Sequence, residues 1–155
     1  ERVDFEGEIY QIKGARLLPR PEQRPRIPVW VAAMLPAKPG QRRAARWDGI
    51  MPQMMPLILD EIEDISSLDM RIIMEPSPEH IQEVLEFTST LRDPNEPFDV
   101  VVSGISYGLE KVALRSKLQS YQDVGTTWWL EWLDCGRPGS FGQVRDQVMA
   151  GPPQH

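Results

Sequence analysis

The sequence predicts an α/β fold with about four parallel strands and intervening helices. Short runs at 27–33, 48–53, 98–105 and 126–133 are apolar and rich in β-branched or aromatic residues, as strands buried on both faces are. Helical patterns fall between or after them, at 42–47, 77–91, 110–123 and 141–149. Strands that alternate with helices pair in parallel through right-handed crossovers. A complete eightfold (β/α) barrel needs roughly 250 residues. A chain of 155 residues therefore holds about half of one, or an open sheet.

Residues 1–26 read as a hairpin or extended arm, with Val3, Phe5, Ile9, Tyr10 and Ile12 among charges and Gly7 and Gly14 as punctuation. Leu17 to Arg26 is basic and proline-rich, and is best read as a connector laid over the surface. The main domain is 27–150, and 151–155 is a tail. Ile27 to Ala33 forms the first core strand. Arg42 to Trp47 is helix-forming, with Ala44 and Ala45 small enough to lie close to a sheet. The intervening segment, Met34 to Gly40, reads as a long loop, and long loops at this end of a parallel strand often carry function. Asp48-Gly49 is a turn signal that opens the next strand.

Between 53 and 75 the pattern is loose. Asp60, Glu61, Glu63 and Asp64 suit a solvated helix face better than a metal site, because no His or Cys lies near. Met70 to Met74 allows a short extended segment. Ser77-Pro78 is a helix start, with Ser as N-cap and Pro at the first helical position. Ile81, Val84, Leu85, Thr88 and Leu91 follow at helical spacing. His80 has no ligand constellation around it and reads as a surface residue. Phe98 to Ile105 is the strongest strand, and Ser103-Gly104 ends it with either a simple turn or room for a ligand. Glu110 to Asp123 is a helix with Leu114, Leu118 and Tyr121 on one face, ended at Gly125. In the last strand Glu131 is anomalous: its charge needs a partner or a wet cavity at the strand's end. Phe141 to Met149 closes the domain as a short helix.

The formal net charge of -6 disfavours nucleic acid or an anionic membrane as a partner. A single cysteine, Cys135, forms no internal disulfide; a reducing, cytoplasmic compartment is the simplest expectation. No apolar run approaches the roughly 20 residues of a membrane span. There is no Gly-rich nucleotide loop, no zinc spacing and no nucleophile elbow, so no metal site and no catalytic residues are assigned. What the sequence offers is an anion cradle: a loop before a helix N-terminus, with Lys38, Arg42 and Arg43 to add charge. The tryptophans read first as core residues. The chain begins with Glu1 and not Met, within a surface ribbon, which suggests a preceding portion.

Six segments in order carry a family resemblance: Val3 to Tyr10, Pro19 to Gln23, Pro28 to Val31, Arg42 to Gly49, Asp99 to Gly104 and Gly125 to Glu131. Together they resemble the C-terminal half of a bacterial-luciferase-like flavin-dependent monooxygenase. The resemblance implies half of a TIM-type (β/α)8 barrel, with the four strands as the fifth to eighth. It implies reduced FMN, or a deazaflavin in some branches, bound at the C-terminal strand ends, and a small organic substrate. The family's phosphate position maps to Ala32, Ala33 and Met34, with Lys38, Gln41 and Arg42 following. General barrel experience instead points to Ser103, Gly104 and the loop after Glu131. With half a barrel, the isolated chain is expected to be weakly active or inactive. It would meet a missing N-terminal half or form a homo-oligomer to cover its sheet edges. The alternatives are a non-catalytic half-barrel used for binding or assembly, and an open-sheet protein unrelated to flavin.

Overall fold

The computed structural model describes residues 2–19, 22–54, 75–106, 108–133 and 140–151. A hairpin comes first: β1 (Val3–Glu6) pairs antiparallel with β2 (Gln11–Ala15), and every residue of both strands is exposed. Its turn is closed by the Gly7 N–H donating to the Tyr10 carbonyl at 2.9 Å.

The main sheet has four strands in the order β3 (Trp30–Leu35), β4 (Gly49–Met54), β5 (Asp99–Gly104) and β6 (Trp128–Glu131). Each neighbouring pair is parallel. Among the described residues four helices accompany it: α1 (Lys38–Ala44) after β3, α2 (Pro78–Ser89) before β5, α3 (Lys111–Asp123) after β5, and α4 (Ser140–Ala150) after β6. The α/β expectation and its four parallel strands hold, as in a partial TIM-type barrel.

Side chains alternate across a strand, so the sheet has two distinct faces. On one lie Val31, Ala33, Leu35, Ile50, Val100 and Val102, which form the core with Ala44, Ile81, Val84 and Tyr121 of the helical layer. By register, the other face carries Trp30, Ala32 and Met34, then Met51 and Gln53, then Asp99, Val101 and Ser103, then Trp128 and Leu130. It is called the inner face below. β3 and β4 pair over six residues, from Trp30–Gly49 to Leu35–Met54. β4 and β5 pair only at Gly49–Asp99 and Ile50–Val100. Beyond Ile50 stands Pro52, which has no N–H to give a ladder.

Several boundaries differ from the sequence reading: β3 starts at Trp30 and not at Ile27, and β6 occupies only Trp128–Glu131 of the expected 126–133. The long loop at 34–40 is not there: β3 runs on to Leu35 and α1 begins at Lys38, leaving Pro36 and Ala37 as the link. Leu35 is buried and extends the strand, while Pro39 sits in the helix's first turn, where its missing N–H costs nothing. Gly40 then packs against Ala33, where an added Cβ would stand 3.0 Å from the Ala33 Cα. The helix read at 42–47 therefore starts earlier and ends at Ala44. His80 is also more than a surface residue. It is half-buried, and its Nδ1 accepts from the Ser77 N–H at 3.2 Å, completing a capping box. The acidic run 60–64, the segment Met70 to Met74 and Cys135 lie outside the described residues.

Candidate functional site

The C-terminal ends of β5 and β6 converge on two carboxylates. Glu131, the last residue of β6, accepts hydrogen bonds from Ser106, Trp129 and Gln147 among the described residues. The Ser106 N–H donates to Oε1 at 2.7 Å and the Ser106 hydroxyl to Oε2 at 2.6 Å. The Trp129 indole N–H donates to Oε2 at 2.9 Å, and Gln147 Nε2 of α4 to Oε1 at 3.2 Å. Among the described residues, donors from β6, the β5 end and α4 thus meet the charge that looked anomalous in a strand.

Glu75, just before α2, anchors the second cluster. Lys117 Nζ lies 2.7 Å from its Oε1 and also donates to the Ile105 carbonyl at 3.0 Å. The Tyr121 hydroxyl donates to Glu75 Oε1 at 2.8 Å. Burial, with the Glu75 carboxylate beside it, pushes the Tyr121 phenol well above its ordinary range. Trp129 joins the clusters: its ring is 5.3 Å from that of Tyr121, and Lys117 Nζ lies 5.2 Å above it. Gly104 makes this contact possible, because a Cβ there would collide with the Glu75 carboxylate and the Trp129 ring.

A third cluster closes the inner face at the opposite end of the sheet. The Trp30 and Trp128 indole N–H groups donate to the two oxygens of Asp99, at 2.9 and 3.1 Å, and their rings approach to 5.5 Å. β3 and β6 are three strand spacings apart, about 14 Å in a flat sheet. Contact between their indoles makes this face concave, as barrel curvature does.

The sequence-derived site residues separate by face. Ala32, Met34 and Ser103 lie on the inner face; Ala33, Gly104 and Glu131 lie on the helix face, the last two paired in register. Lys38, Gln41 and Arg42 come together on α1. Lys38 Nζ lies 4.5 Å above the Phe87 ring and the Arg42 guanidinium 5.7 Å from it. Gln41 is buried and its amide donates to the Ala37 carbonyl at 3.2 Å. No side chain caps the first turn of α1. Sequence reasoning missed Glu75, Ser106, Lys117 and Gln147. A local signal existed only for Lys117, one helical turn before Tyr121. Among the described residues there is no group of three or more His, Cys, Asp or Glu side chains placed to hold a metal ion. No described helix is long and apolar enough to cross a membrane.

In parallel (β/α) sheets, ligand sites lie at the carboxyl ends of the strands, and here polar groups gather at those ends of β5 and β6. Residues 1–65 match the family model of the luciferase-like monooxygenases, a stretch that takes in β1, β2, β3, α1 and β4. Over that stretch the chain is similar to the luciferase-like monooxygenases. No curated protein and no solved structure matches the chain.

Proposed function

We propose that this chain is a luciferase-like flavin-dependent oxidoreductase component that holds reduced FMN, or a deazaflavin, against a small organic substrate. The observation that carries the reading is the family match over 1–65 together with the parallel sheet it leads into. A flavin has a flat, mainly apolar ring and an anionic phosphate, and the two ends fit different places. The inner face suits the ring: Ala32 and Leu130 are exposed, Met34 is half-exposed, and Ser103 and Gln53 add polar edges. The first turn of α1 suits the phosphate, with uncapped N–H groups and Lys38 and Arg42 nearby. The rim beside Glu131 does not suit a phosphate, since a carboxylate faces that space and its neighbouring donors are already turned to it. When bound, reduced flavin supplies the electrons for oxygen or hydride chemistry; the chain's own part is to position it and exclude water. Titration of FMN into the chain, followed by flavin fluorescence, tests this. Saturable quenching that weakens when Lys38 and Arg42 are replaced by Met is expected; no saturable quenching into the millimolar range refutes it.

A second reading is favoured by the sheet's edges. Trp30, Val29 and Ile27 beside β3 and Trp128, Leu130 and Trp132 beside β6 all remain exposed, whereas Ile50 and Val101 in the central strands are fully buried. On this reading the chain is a half-barrel that closes against a second four-stranded half, supplied by another copy or another segment. Light scattering tests it: a strict monomer that binds no apolar dye counts against it.

A further inference from the structure

Across the inner face the strand registers set side chains in rows. The row nearest the carboxyl ends holds Met34, Gln53, Ser103 and Leu130. Met34 pairs with Gln53 and Ser103 with Leu130, while Gln53 and Ser103 each stand four residues beyond the Gly49–Asp99 pair. The row beneath holds Ala32, Met51, Val101 and Trp128. That floor is apolar apart from the Trp128 indole N–H, which is already given to Asp99. A polar pair thus stands between two apolar flanks above an apolar floor.

Both polar side chains are free to meet a ligand. Neither the Ser103 hydroxyl nor the Gln53 amide has a hydrogen-bond partner among the described residues. Ser103 is only 8% exposed, and Gln53 is half-buried. Among the described residues, the unpartnered side-chain atoms sealed from water lie on Arg92, Thr126 and Gln147, so the Ser103 hydroxyl keeps its opening. A withdrawn polar group without a partner is costly, and a ligand that supplies one is selected over a ligand that does not. The two side chains also define the edge they fit. A primary amide offers an acceptor and a donor side by side, and a serine hydroxyl adds a donor. On neighbouring strands, about 4.8 Å apart, they can present donor, acceptor and donor to one ligand edge. The complement is an imide: a carbonyl, an N–H and a second carbonyl. The pyrimidine end of FMN carries that edge, as does that of a deazaflavin; the benzenoid end of FMN carries two methyl groups in its place.

We propose that Gln53 and Ser103 read the imide edge of the flavin ring: the Gln53 amide accepts from the ring N3–H and donates to one flanking carbonyl, and the Ser103 hydroxyl donates to the other. This placement rests on the flavin reading and adds to it which end of the ring meets β4 and β5.

The test titrates the full chain with FMN and with N3-methyl FMN, followed by flavin fluorescence. Methylation removes the N3–H donor and leaves both carbonyls in place. N3-methyl FMN is expected to bind about tenfold more weakly than FMN, because it leaves the Gln53 acceptor unmet. Gln53→Ala removes that acceptor and makes room for the methyl group, so the two ligands should come within about twofold of each other. Ser103→Ala should weaken both ligands alike, by about three- to tenfold, and keep the difference between them. Equal binding of the two ligands to the unaltered chain overturns the proposal while the flavin reading stands, and that comparison requires no variant to fold. A difference that persists in Gln53→Ala, or an unchanged affinity for FMN in Ser103→Ala, overturns it too. Absence of saturable FMN binding to the unaltered chain overturns both the proposal and the flavin reading.

Discussion

Replacing Lys117 by Met isolates the ion pair that ties α3 to the start of α2. Lys117 sits 2.7 Å from Glu75, with side-chain exposures of 26% and 12%, so the pair is mostly withdrawn from water. Breaking a fully buried pair by removing one partner costs about 3–5 kcal/mol. Two features lower that here. Lys117 retains part of its hydration, and Glu75 keeps the Tyr121 hydroxyl at 2.8 Å and the Ile105 N–H at 3.4 Å. Met preserves the aliphatic stem against Trp129 but not the charge over its ring, a loss of about 0.5–1 kcal/mol. The net expectation is about 2 kcal/mol of destabilisation, or roughly 4–8 °C in Tm for a chain of this size. Thermal unfolding by circular dichroism measures it. Glu75→Gln in the same background should recover part of the loss, because the uncompensated charge is then gone, and the double-mutant cycle should give a coupling of about 1–2 kcal/mol. A Tm change under 1 °C for Lys117→Met, or additive single variants, would refute the reasoning.

Three further outcomes follow from neighbouring groups. The Tyr121 phenol is held above its ordinary value, so its contribution is complete below pH 10 and is lost as pH rises toward the native value. Alkaline unfolding should steepen above pH 10 by up to about 1.4 kcal/mol per pH unit, and Tyr121→Phe should remove that slope in a pH titration of stability. Gly104→Ala places a methyl against the Glu75 carboxylate and the Trp129 ring; it should cost about 1–3 kcal/mol in chemical unfolding and shift the tryptophan emission. Asp48 is held below the usual carboxylate range by the Arg26 guanidinium at 2.6 Å and by the Val29 N–H. That contribution is present above the ordinary value of 3.8 and lost as pH falls further. Acid should therefore release the segment at 26–29 before the core, as amide exchange at Val29 would report, and Asp48→Asn should show the release already at neutral pH.

The fold was legible where local chemistry is decisive. The apolar runs marked all four core strands, and Ser77-Pro78 marked the start of α2 to the residue. The reading lost the α1 boundary because Pro36, Pro39 and Gly40 all look like loop residues. The tight link is possible because Pro39 lies in the first turn and Gly40 lies against Ala33, a tertiary contact that no local pattern shows. The site was less legible for the same reason. Glu131 stood out as a charge in a strand, yet its partners come from 25 residues upstream, at Ser106, and 16 downstream, at Gln147. Glu75 meets Lys117 and Tyr121 from 42 and 46 residues away. Such pairings are set by how helices fall on the sheet. The family match falls on residues 1–65, which hold the resembling segments from Val3 to Gly49; those at 99–104 and 125–131 lie beyond it.

The most direct measurement maps reduced FMN on the chain under anaerobic conditions by methyl NMR. Saturable shifts at Ala32, Met34, Met51 and Leu130, with Leu114 and Val148 unmoved, are the predicted result. Shifts confined to Leu114 and Val148 on the helix side, or none up to millimolar FMN, would contradict the placement of the flavin on the inner face.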